Sequence, residues 1–302
     1  MRTKVAFVWD FSVSPVELHT WADGLNAALG VLQRDYEYDI YVIADDKQDS
    51  IHKKIRDIKP DVILGWGSLD RPSFAGVKEH GVPTALCFAG GPTNHFHTSS
   101  FDIIFVENEV YEQQFKKQSI NVKRAFGTNS ELFVPIDVKV HFKAFYPAAF
   151  ALWKRHELFA KAVGTGGIAC GKFIEQEKVC IEVCVENGVT ILPPLPYAAL
   201  PYLYNQSEFT LITATTKGGS QRAVLEAMSC NRIPIVMSDS EKCAEYVKDS
   251  GFGVIVEPTV EAIKEALSKT YKFDNDGRSY ILSKYSADIY AKQLHEGIQS
   301  IL

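Results

Sequence analysis

The chain of 302 residues is 46% apolar and 23% charged, which excludes a largely disordered protein and is long enough for two ordinary domains. A formal net charge of -5 argues against a general nucleic-acid or anionic-membrane binder. No apolar segment reaches membrane-spanning length, and the start lacks the apolar core of a signal peptide. The six cysteines lack the spacing of a metal site and indicate thiols in a reducing compartment, so we expect a cytoplasmic protein.

Short apolar segments rich in β-branched residues alternate with amphipathic segments in the first half of the chain. Helical spacing of the apolar residues predicts helices over 16–33 and 109–118. The apolar segments between such helices predict strands that are buried on both faces, at KVAFVWD, YDIYVIAD, DVILGWG, PTALCFAG and FDIIFVEN. This alternation is typical of βαβ units and a parallel sheet.

The alternation pauses over residues 127–141, which hold turn residues and a proline but no periodic helix. It then resumes with predicted strands at FKAFYPA, GGIACGKF, VTILPP, FTLITAT, RIPIVMSD and GFGVIVEP, and ends in a helical tail over 278–302. The sequence therefore predicts an α/β protein of two doubly wound, Rossmann-like domains. We expect the domains at 1–135 and 136–285, with a C-terminal helix at 286–302 packing back on the first domain.

In parallel sheets of this kind, ligands bind beyond the carboxyl ends of the strands. We call the loops at those ends the crest of each domain. The crest loops are predicted at 10–14, 65–68, 90–97, 148–154 and 215–220. Two crests facing each other across a cleft would form a small-molecule site.

One crest loop leads directly into a predicted helix. Gly218, Gly219 and Ser220 precede the helical segment QRAVLEAMSC, so a phosphate or sugar could approach the backbone N–H groups at its N-terminus. Glu226 lies under two turns along, on the face that Arg222 shares, where a carboxylate can accept hydrogen bonds from vicinal hydroxyls such as those of ribose. The alternative is a capped helix with an ordinary exposed glutamate.

These segments resemble a known family. GGSQRAVLEAMSCNRIPIVMSDSEKCAEYV, followed by GFGVIVEP, is similar to the nucleotide-sugar site of GT-B glycosyltransferases of the GT4 (glycosyltransferase group 1) type. WKRHELFAKAV resembles the lysine-bearing first helix of that family's donor domain, and LPYAALPYLYNQSEF resembles a later segment of it. The resemblance implies two domains facing across a cleft, and transfer of a sugar from a nucleoside-diphosphate sugar to a hydroxyl acceptor.

The resemblance also implies the donor side of the site. Glu226 would hold the ribose, and Lys154 would bind the diphosphate with help from Arg155. Further donor-side residues would be Lys217, Gly218, Gly219, Ser220, Gln221 and Arg222. The donor would be a UDP- or GDP-sugar, the acceptor a saccharide or glycan intermediate, and the transfer would retain the anomeric configuration. We expect no cofactor and no essential metal, because no Asp-x-Asp pair lies on a crest loop.

Three departures from the family pattern concern the donor sugar and the acceptor. The first acid of the family's paired-glutamate motif falls on Gly218 or, with a slip of one residue, on Lys217. The family's usual arginine before the lysine falls on Ala149, and the glycine-rich loop after the first strand is replaced by DFSVSPVE.

The acceptor side of the site is predicted at the crest of the first domain. His95 and His97, in FAGGPTNHFHTSS, are the candidates for the catalytic histidine that the family places near the end of its fourth strand, although they are displaced by several residues. Other residues that we expect to face the acceptor are Asp10, Gly67, Ser68, Gly90 and Gly91.

Other functions fit the same sequence. A nucleotide-sugar epimerase would use the same cleft and turn over its substrate without an acceptor. A non-catalytic nucleotide-sugar binder would fit the missing acid and arginine. A transferase acting on modified DNA bases would use the basic edge at 116–124, which reads equally as a solvated helix end.

Overall fold

The computed structural model describes residues 2–9, 23–45, 47–174, 177–215, 219 and 221–302. Within them the chain forms two compact units. Unit 1 comprises Met1–Gly127 and Ala287–Leu302, and unit 2 comprises Thr128–Ser286. None of the described helices is long and apolar enough to cross a membrane.

Unit 1 is built on a six-stranded parallel sheet in the order β2-β1-β3-β4-β5-β6. Its strands are β1 (Thr3–Trp9), β2 (Tyr38–Ala44), β3 (Val62–Gly67), β4 (Thr84–Phe88), β5 (Ile103–Val106) and β6 (Val122–Arg124). Its helices are α1 (Asp23–Asp35), α2 (Gln48–Ile58) and α3 (Glu109–Lys116), joined by the C-terminal helix α11 (Ala287–Gln299).

The alternation of side chains along the strands of unit 1 builds a core on each face of its sheet. Val5 and Phe7 of β1 belong to one cluster, together with Leu32 of α1 and Leu294 of α11. The intervening Ala6 and its neighbours of like orientation belong to a second cluster with α2 and α3. Both faces of the sheet are therefore covered, as the nearly continuous apolar strands predicted.

Unit 2 is built on a second six-stranded parallel sheet, in the order β12-β11-β10-β7-β8-β9. Its strands are β7 (Phe142–Pro147), β8 (Gly167–Cys170), β9 (Thr190–Leu192), β10 (Ser207–Ile212), β11 (Ile233–Met237) and β12 (Val254–Val256). Its helices are α4 (His156–Val163), α5 (Glu177–Glu186), α6 (Leu200–Asn205), α7 (Gln221–Ser229), α8 (Glu241–Ser250), α9 (Val260–Ser268) and α10 (Gly277–Lys284).

The strand order of each sheet reverses once, and this reversal marks where a ligand is expected. In unit 2 the first three strands run outward from β7 in one direction, and β10 to β12 run outward from it in the other. The loops after β7 and β10 therefore flank the switch point of unit 2. In unit 1 the corresponding reversal lies between β1 and β3.

The predicted α/β fold class is confirmed, and every strand predicted from the sequence is present. Two details differ. The short strand β6 was not predicted, because its three residues are only half-buried and two of them are basic. The expected single helical tail is two helices, because the Tyr285 backbone leaves the helical region and its carbonyl accepts a hydrogen bond from the Thr128 N–H.

All six cysteines lie in the described part of the chain and are buried, and none forms a disulfide. Burial raises the pKa of the Cys87 and Cys184 thiols to about 12. They are therefore protonated at neutral pH and behave as small apolar side chains.

Two helical glycines give a matched test of how α11 packs. A Cβ at Gly297 would overlap the Phe105 ring of β5, whereas a Cβ at Gly30 of α1 would meet no atom within 4 Å. We expect Gly297→Ala to lower the free energy of unfolding by about 1–3 kcal/mol through overpacking. Gly30→Ala should raise it by about 0.5–1 kcal/mol through the better helix propensity of alanine. Urea unfolding of both variants measures the two effects, and equal effects at both positions would contradict the packing of α11 on β5.

Candidate functional site

Lys154 lies directly beside the switch point of unit 2. It ends a 3₁₀ turn, Leu152–Lys154, that follows β7, and its side chain is buried. Its backbone carbonyl accepts hydrogen bonds from the Tyr146 hydroxyl at 2.6 Å and the Thr213 hydroxyl at 2.8 Å. Since Tyr146 belongs to β7 and Thr213 follows β10, both strands at the switch point fix the backbone of Lys154.

Arg155 has partners that the sequence did not predict. Its backbone is left-handed, with φ of 52°, between the turn and α4. Its guanidinium makes a bidentate ion pair with Asp239, at 2.6 and 2.8 Å, and donates to the backbone carbonyls of Thr213 at 2.5 Å and Ala214 at 3.2 Å. The Arg155 hydrogen bond holds the pKa of Asp239 below its usual value. The guanidinium thus joins the loops after β7, β10 and β11.

The glycine-led loop before α7 is described in part. Lys217, Gly218 and Ser220 lie outside the described residues. Gly219 has a positive φ of 61°, and its carbonyl faces the Cys243 thiol of α8 at 3.7 Å. Gln221, the first residue of α7, is buried. The described residues thus place the start of α7 beside α8, at the carboxyl end of β10.

Glu226 is not the exposed glutamate of the alternative interpretation. It lies in the middle of α7 with only 5% of its side chain exposed. Its Oε1 accepts a hydrogen bond from the Tyr197 hydroxyl at 2.8 Å, and its Oε2 accepts one from the Tyr204 hydroxyl at 2.5 Å. Arg222, on the same helix face, has its Nε 4.0 Å from Oε1. A buried carboxylate is costly unless it is hydrogen-bonded, and the two tyrosines supply such bonds.

The loops after β7 and β8 run side by side. The Phe150 N–H donates to the Lys172 carbonyl at 2.7 Å, and a Cβ at Gly171 would overlap the Ala148 carbonyl. Burial lowers the pKa of Lys172 to about 8. Four apolar side chains on these two loops are exposed, and they are Leu152, Trp153, Phe173 and Ile174. Sequence reasoning gave these residues no role, because an apolar residue in a loop carries no signal of its surroundings.

His156, the first residue of α4, is fully buried and has no hydrogen-bond partner for either ring nitrogen. Its ring stacks on Phe150 with centroids 4.6 Å apart. Burial and the neighbouring Lys154 lower its pKa to about 4, against a smaller opposing effect of the Ala151 backbone. The imidazole is therefore neutral at physiological pH and belongs to the core beneath the Lys154 turn.

The structure brings together four of the acceptor-side residues predicted in unit 1. The Ala89 N–H donates to the Gly67 carbonyl at 3.0 Å, and a Cβ at Gly91 would lie 3.2 Å from the Ser68 Cβ. Gly90 and Gly91 both have positive φ, 104° and 107°, so this loop needs glycine at both positions. Asp10 lies outside the described residues.

The two candidate histidines differ in how firmly they are held. His97 is buried, and its Nδ1 lies 3.0 Å from the Leu69 carbonyl, so Nδ1 carries the hydrogen and Nε2 is the acceptor of the neutral ring. His95 is half-buried and accepts a hydrogen bond from the His97 N–H at 3.3 Å. Between them, Phe96 is 76% exposed. Of the two, His97 has the ring orientation that a general base requires.

Sequence reasoning missed the side chains that support the donor-side candidates. Tyr197 and Tyr204 are seven residues apart, a spacing that places two residues on one helical face and was the available signal. Asp239 is the acid that follows the β11 strand in the family pattern, but nothing in the sequence pairs it with Arg155. Among the described residues, no three His, Cys, Asp or Glu side chains lie close enough together to hold a metal ion.

Comparison with known proteins agrees with this architecture. Residues 168–282 match the family model of glycosyl transferases group 1. Sucrose-phosphate synthase from Thermosynechococcus elongatus superposes with a TM-score of 0.74 over 99% of both chains, at 12% identity. HepE from Anabaena, solved with UDP and glucose, superposes with a TM-score of 0.72 over 99% of this chain and 100% of its own, at 13% identity. No curated protein matches the sequence.

A third structural relative belongs to another class of enzyme. UDP-GlcNAc 2-epimerase from Neisseria meningitidis, bound to UDP-GlcNAc, superposes with a TM-score of 0.58 over 99% of this chain and 100% of its own, at 14% identity. The likenesses show that the chain has the two-unit α/β architecture of GT-B proteins. The resemblance to GT-B glycosyltransferases, predicted from the sequence, is confirmed by the family model and by this shared fold.

The buried His156 predicts a specific dependence of stability on pH. Its pKa is about 4 in the folded chain and about 6.5 when unfolded, so below pH 6.5 the unfolded state binds the extra proton. This difference should cost about 2 kcal/mol of unfolding free energy between pH 7.5 and pH 5. His156→Leu should remove that part of the loss, as measured by urea unfolding at both pH values.

The exposed His141 offers the control, because His141→Asn changes a histidine without changing a buried one. It should lose the same stability as the wild type on acidification. If His156→Leu also loses as much as the wild type, the neutral buried state of His156 is wrong.

Proposed function

We propose that this chain is a glycosyltransferase that moves a sugar from a nucleoside-diphosphate sugar to a hydroxyl acceptor. The observation that carries the proposal is the position of Glu226, a carboxylate held within α7 beside the switch point of unit 2. Ribose hydroxyls donate to a carboxylate, while a diphosphate is attracted to the positive N-terminus of a helix. One helix therefore offers partners for both parts of a nucleotide. The family-model match over residues 168–282 includes this helix.

We assign the diphosphate to Lys154 and to the start of α7. The Lys154 backbone is fixed by Tyr146 and Thr213, so its ammonium group is attached to a rigid turn. Backbone N–H groups of Gly219, Ser220 and Gln221 would face the phosphates and the sugar, with Lys217 and Gly218 completing the loop. Arg155 takes a different role from the one expected. Its pairing with Asp239 supports the loop that carries Lys154.

The reaction requires little covalent chemistry from the protein. The bond between the anomeric carbon and the diphosphate oxygen breaks, the acceptor oxygen forms the new bond, and the acceptor hydroxyl loses its proton. We infer retention of configuration without a protein nucleophile, as the family resemblance implies. A fixed cation beside the leaving diphosphate stabilises the charge that develops as the bond breaks, and we assign that work to Lys154.

We assign the acceptor to the crest of unit 1, and His97 to the acceptor hydroxyl. The neutral His97 ring, with its hydrogen on Nδ1, presents Nε2 as a hydrogen-bond acceptor. The polar loop residues around it, Ser68 and the Gly90-Gly91 turn, suit a saccharide acceptor rich in hydroxyls. The buried cysteines without a disulfide support a reducing compartment such as the cytoplasm.

The donor is most directly tested with uridine nucleotides, because HepE, which shares the fold, was solved with UDP and glucose. The exposed apolar side chains after β7 and β8 offer a surface for the nucleobase. A thermal-shift panel of UDP, GDP, ADP and their sugars identifies the donor, since a ligand that binds the folded state raises the melting temperature.

Glu226 should be required for nucleotide binding. We expect Glu226→Gln to weaken UDP binding by about 10- to 100-fold, the effect of losing hydrogen bonds to a charged group, as measured by calorimetry. Glutamine keeps the shape of the side chain, whereas alanine would also leave the Tyr197 and Tyr204 hydroxyls without their partner. Glu261→Ala, at an exposed glutamate of α9, is the control and should bind UDP like the wild type.

Chromatography of the reaction mixture separates the proposed activity from its rivals. A transferase consumes the nucleotide sugar only when an acceptor is present, or hydrolyses it slowly without one. An epimerase converts it to an isomer without an acceptor. A protein that binds nucleotide but never consumes any sugar nucleotide, with any saccharide offered, is not a transferase.

His97 and His95 should differ in their contribution to transfer. Because His97 is buried and oriented by Leu69, we expect His97→Ala to lower kcat by about 100-fold or more with little change in UDP affinity. His95→Ala should lower kcat less, since its side chain supports the His97 backbone. Steady-state kinetics and UDP binding on both variants measure these effects. Full transfer by both variants would remove the histidines from the mechanism.

A further inference from the structure

Glu226 is surrounded by an aromatic bracket formed by Tyr197, Tyr204 and Phe133. Each oxygen of the carboxylate accepts one tyrosine hydroxyl, Tyr197 on Oε1 and Tyr204 on Oε2. The Phe133 ring packs edge-on against both tyrosine rings, with centroids 5.1 Å from Tyr197 and 5.6 Å from Tyr204. Phe145 of β7 packs in the same manner against Tyr204, at 5.1 Å. Two donors on two different oxygens fix both the position and the plane of the carboxylate.

The bracket is itself anchored. Phe133 is fully buried, and its backbone carbonyl accepts hydrogen bonds from the Ser229 hydroxyl at 2.6 Å and the Arg278 guanidinium at 2.9 Å. Tyr204 is fully buried on α6. Tyr197 lies half-buried on the 3₁₀ turn Tyr197–Ala199 just before α6. The side chains that hold Glu226 therefore cannot shift without disturbing the core of unit 2.

The hydrogen bonds run in one direction. A carboxylate only accepts hydrogen bonds, so both tyrosines must donate to it. Burial and the negative charge of Glu226 raise the pKa of Tyr204 well above its usual value, which keeps its hydroxyl protonated. A carboxylate can accept about four hydrogen bonds, so two tyrosine donors do not saturate it.

We propose that Tyr197 and Tyr204 are positioning residues for recognition of the ribose: they hold the Glu226 carboxylate in the plane in which it accepts hydrogen bonds from the ribose hydroxyls. The inference rests on the proposed role of Glu226 in nucleotide binding. It goes further in making the preference for ribonucleotides over deoxyribonucleotides depend on two tyrosines that contact the glutamate rather than the nucleotide.

A specific consequence separates positioning from a merely structural role. Loss of a tyrosine hydroxyl frees the carboxylate to turn, which weakens its bond to the ribose hydroxyl and leaves the phosphate and base contacts intact. A merely structural loss would weaken ribonucleotide and deoxyribonucleotide binding alike. The ratio of the two affinities therefore reports positioning alone.

The experiment measures the binding of UDP, GDP and their 2′-deoxy forms to the full chain by calorimetry, with the nucleotide that binds the wild type more tightly used for comparison. Tyr197→Phe keeps the ring against Phe133 and removes only the hydroxyl. We expect the wild type to prefer the ribonucleotide, and Tyr197→Phe to reduce this preference by about three- to tenfold, the effect of one hydrogen bond. Binding of the 2′-deoxynucleotide should be nearly unchanged.

Tyr202→Phe, at an exposed tyrosine of α6, is the matched control and should keep the full preference for the ribonucleotide. Tyr204→Phe tests the other oxygen of the carboxylate. Because this residue is fully buried, its melting temperature is measured first, and Tyr197→Phe decides the matter if Tyr204→Phe unfolds.

The outcomes distinguish the inference from the proposed function. If the wild type binds the ribonucleotide selectively and Tyr197→Phe keeps the same ratio, the positioning role is wrong while the nucleotide site stands. An equal loss of both affinities in Tyr197→Phe assigns the tyrosine a structural role and also overturns the inference. If the wild type binds no nucleotide or sugar nucleotide of the panel, the proposed function itself fails.

Discussion

The bidentate ion pair between Arg155 and Asp239 is the interaction on which the candidate site of unit 2 depends. Arg155 follows β7, Asp239 follows β11, and the same guanidinium donates to the carbonyls of Thr213 and Ala214 after β10. Loops at the carboxyl ends of parallel strands have no ladder to hold them together. Here one planar group with several donors fixes three of them, a role for which the geometry of arginine is better suited than that of lysine.

The second constraint is the cost of burying charged and polar groups at this edge of the sheet. Glu226 is almost fully buried, and two tyrosine hydroxyls offset the loss of water. His156 is buried without hydrogen bonds and stays neutral. Each solution also limits movement, because the carboxylate is held by both oxygens and the imidazole is stacked on Phe150. The groups nearest the switch point are therefore ordered before any ligand arrives, which reduces the entropy lost on binding.

The sequence predicted the fold well because strands buried on both faces have a distinctive composition, as at KVAFVWD and DVILGWG. It did not predict β6, where half-buried Lys123 and Arg124 hide the pattern, or the break at Tyr285, which no glycine or proline marks. Arg155 shows the same limit at the site. Its place beside Lys154 suggested a shared role, but its left-handed backbone, uncommon for arginine, directs the side chain to Asp239.

Partners distant in sequence were beyond the reach of pattern reasoning. Tyr197 and Tyr204 lie 29 and 22 residues before Glu226, and Asp239 lies 84 residues after Arg155. Only the packing of the sheet brings these groups together. The prediction of Glu226 as a ligand residue came from its motif, whereas the features that would make it effective come from the fold.

The balance of charge at the candidate donor site explains what the departure from the family motif implies. In the described part of the site, the charge of Asp239 is offset by Arg155, and that of Glu226 is stabilised by two neutral phenols with Arg222 4.0 Å away. Lys154 and the N-terminus of α7 add positive potential. The position where the family has an acid is Gly218 or Lys217, so no negative charge is added there. Such a site favours an anionic diphosphate more strongly than it favours a neutral sugar. The sugar must then be selected by hydrogen bonds from neutral groups or by the acceptor side, rather than by a second carboxylate.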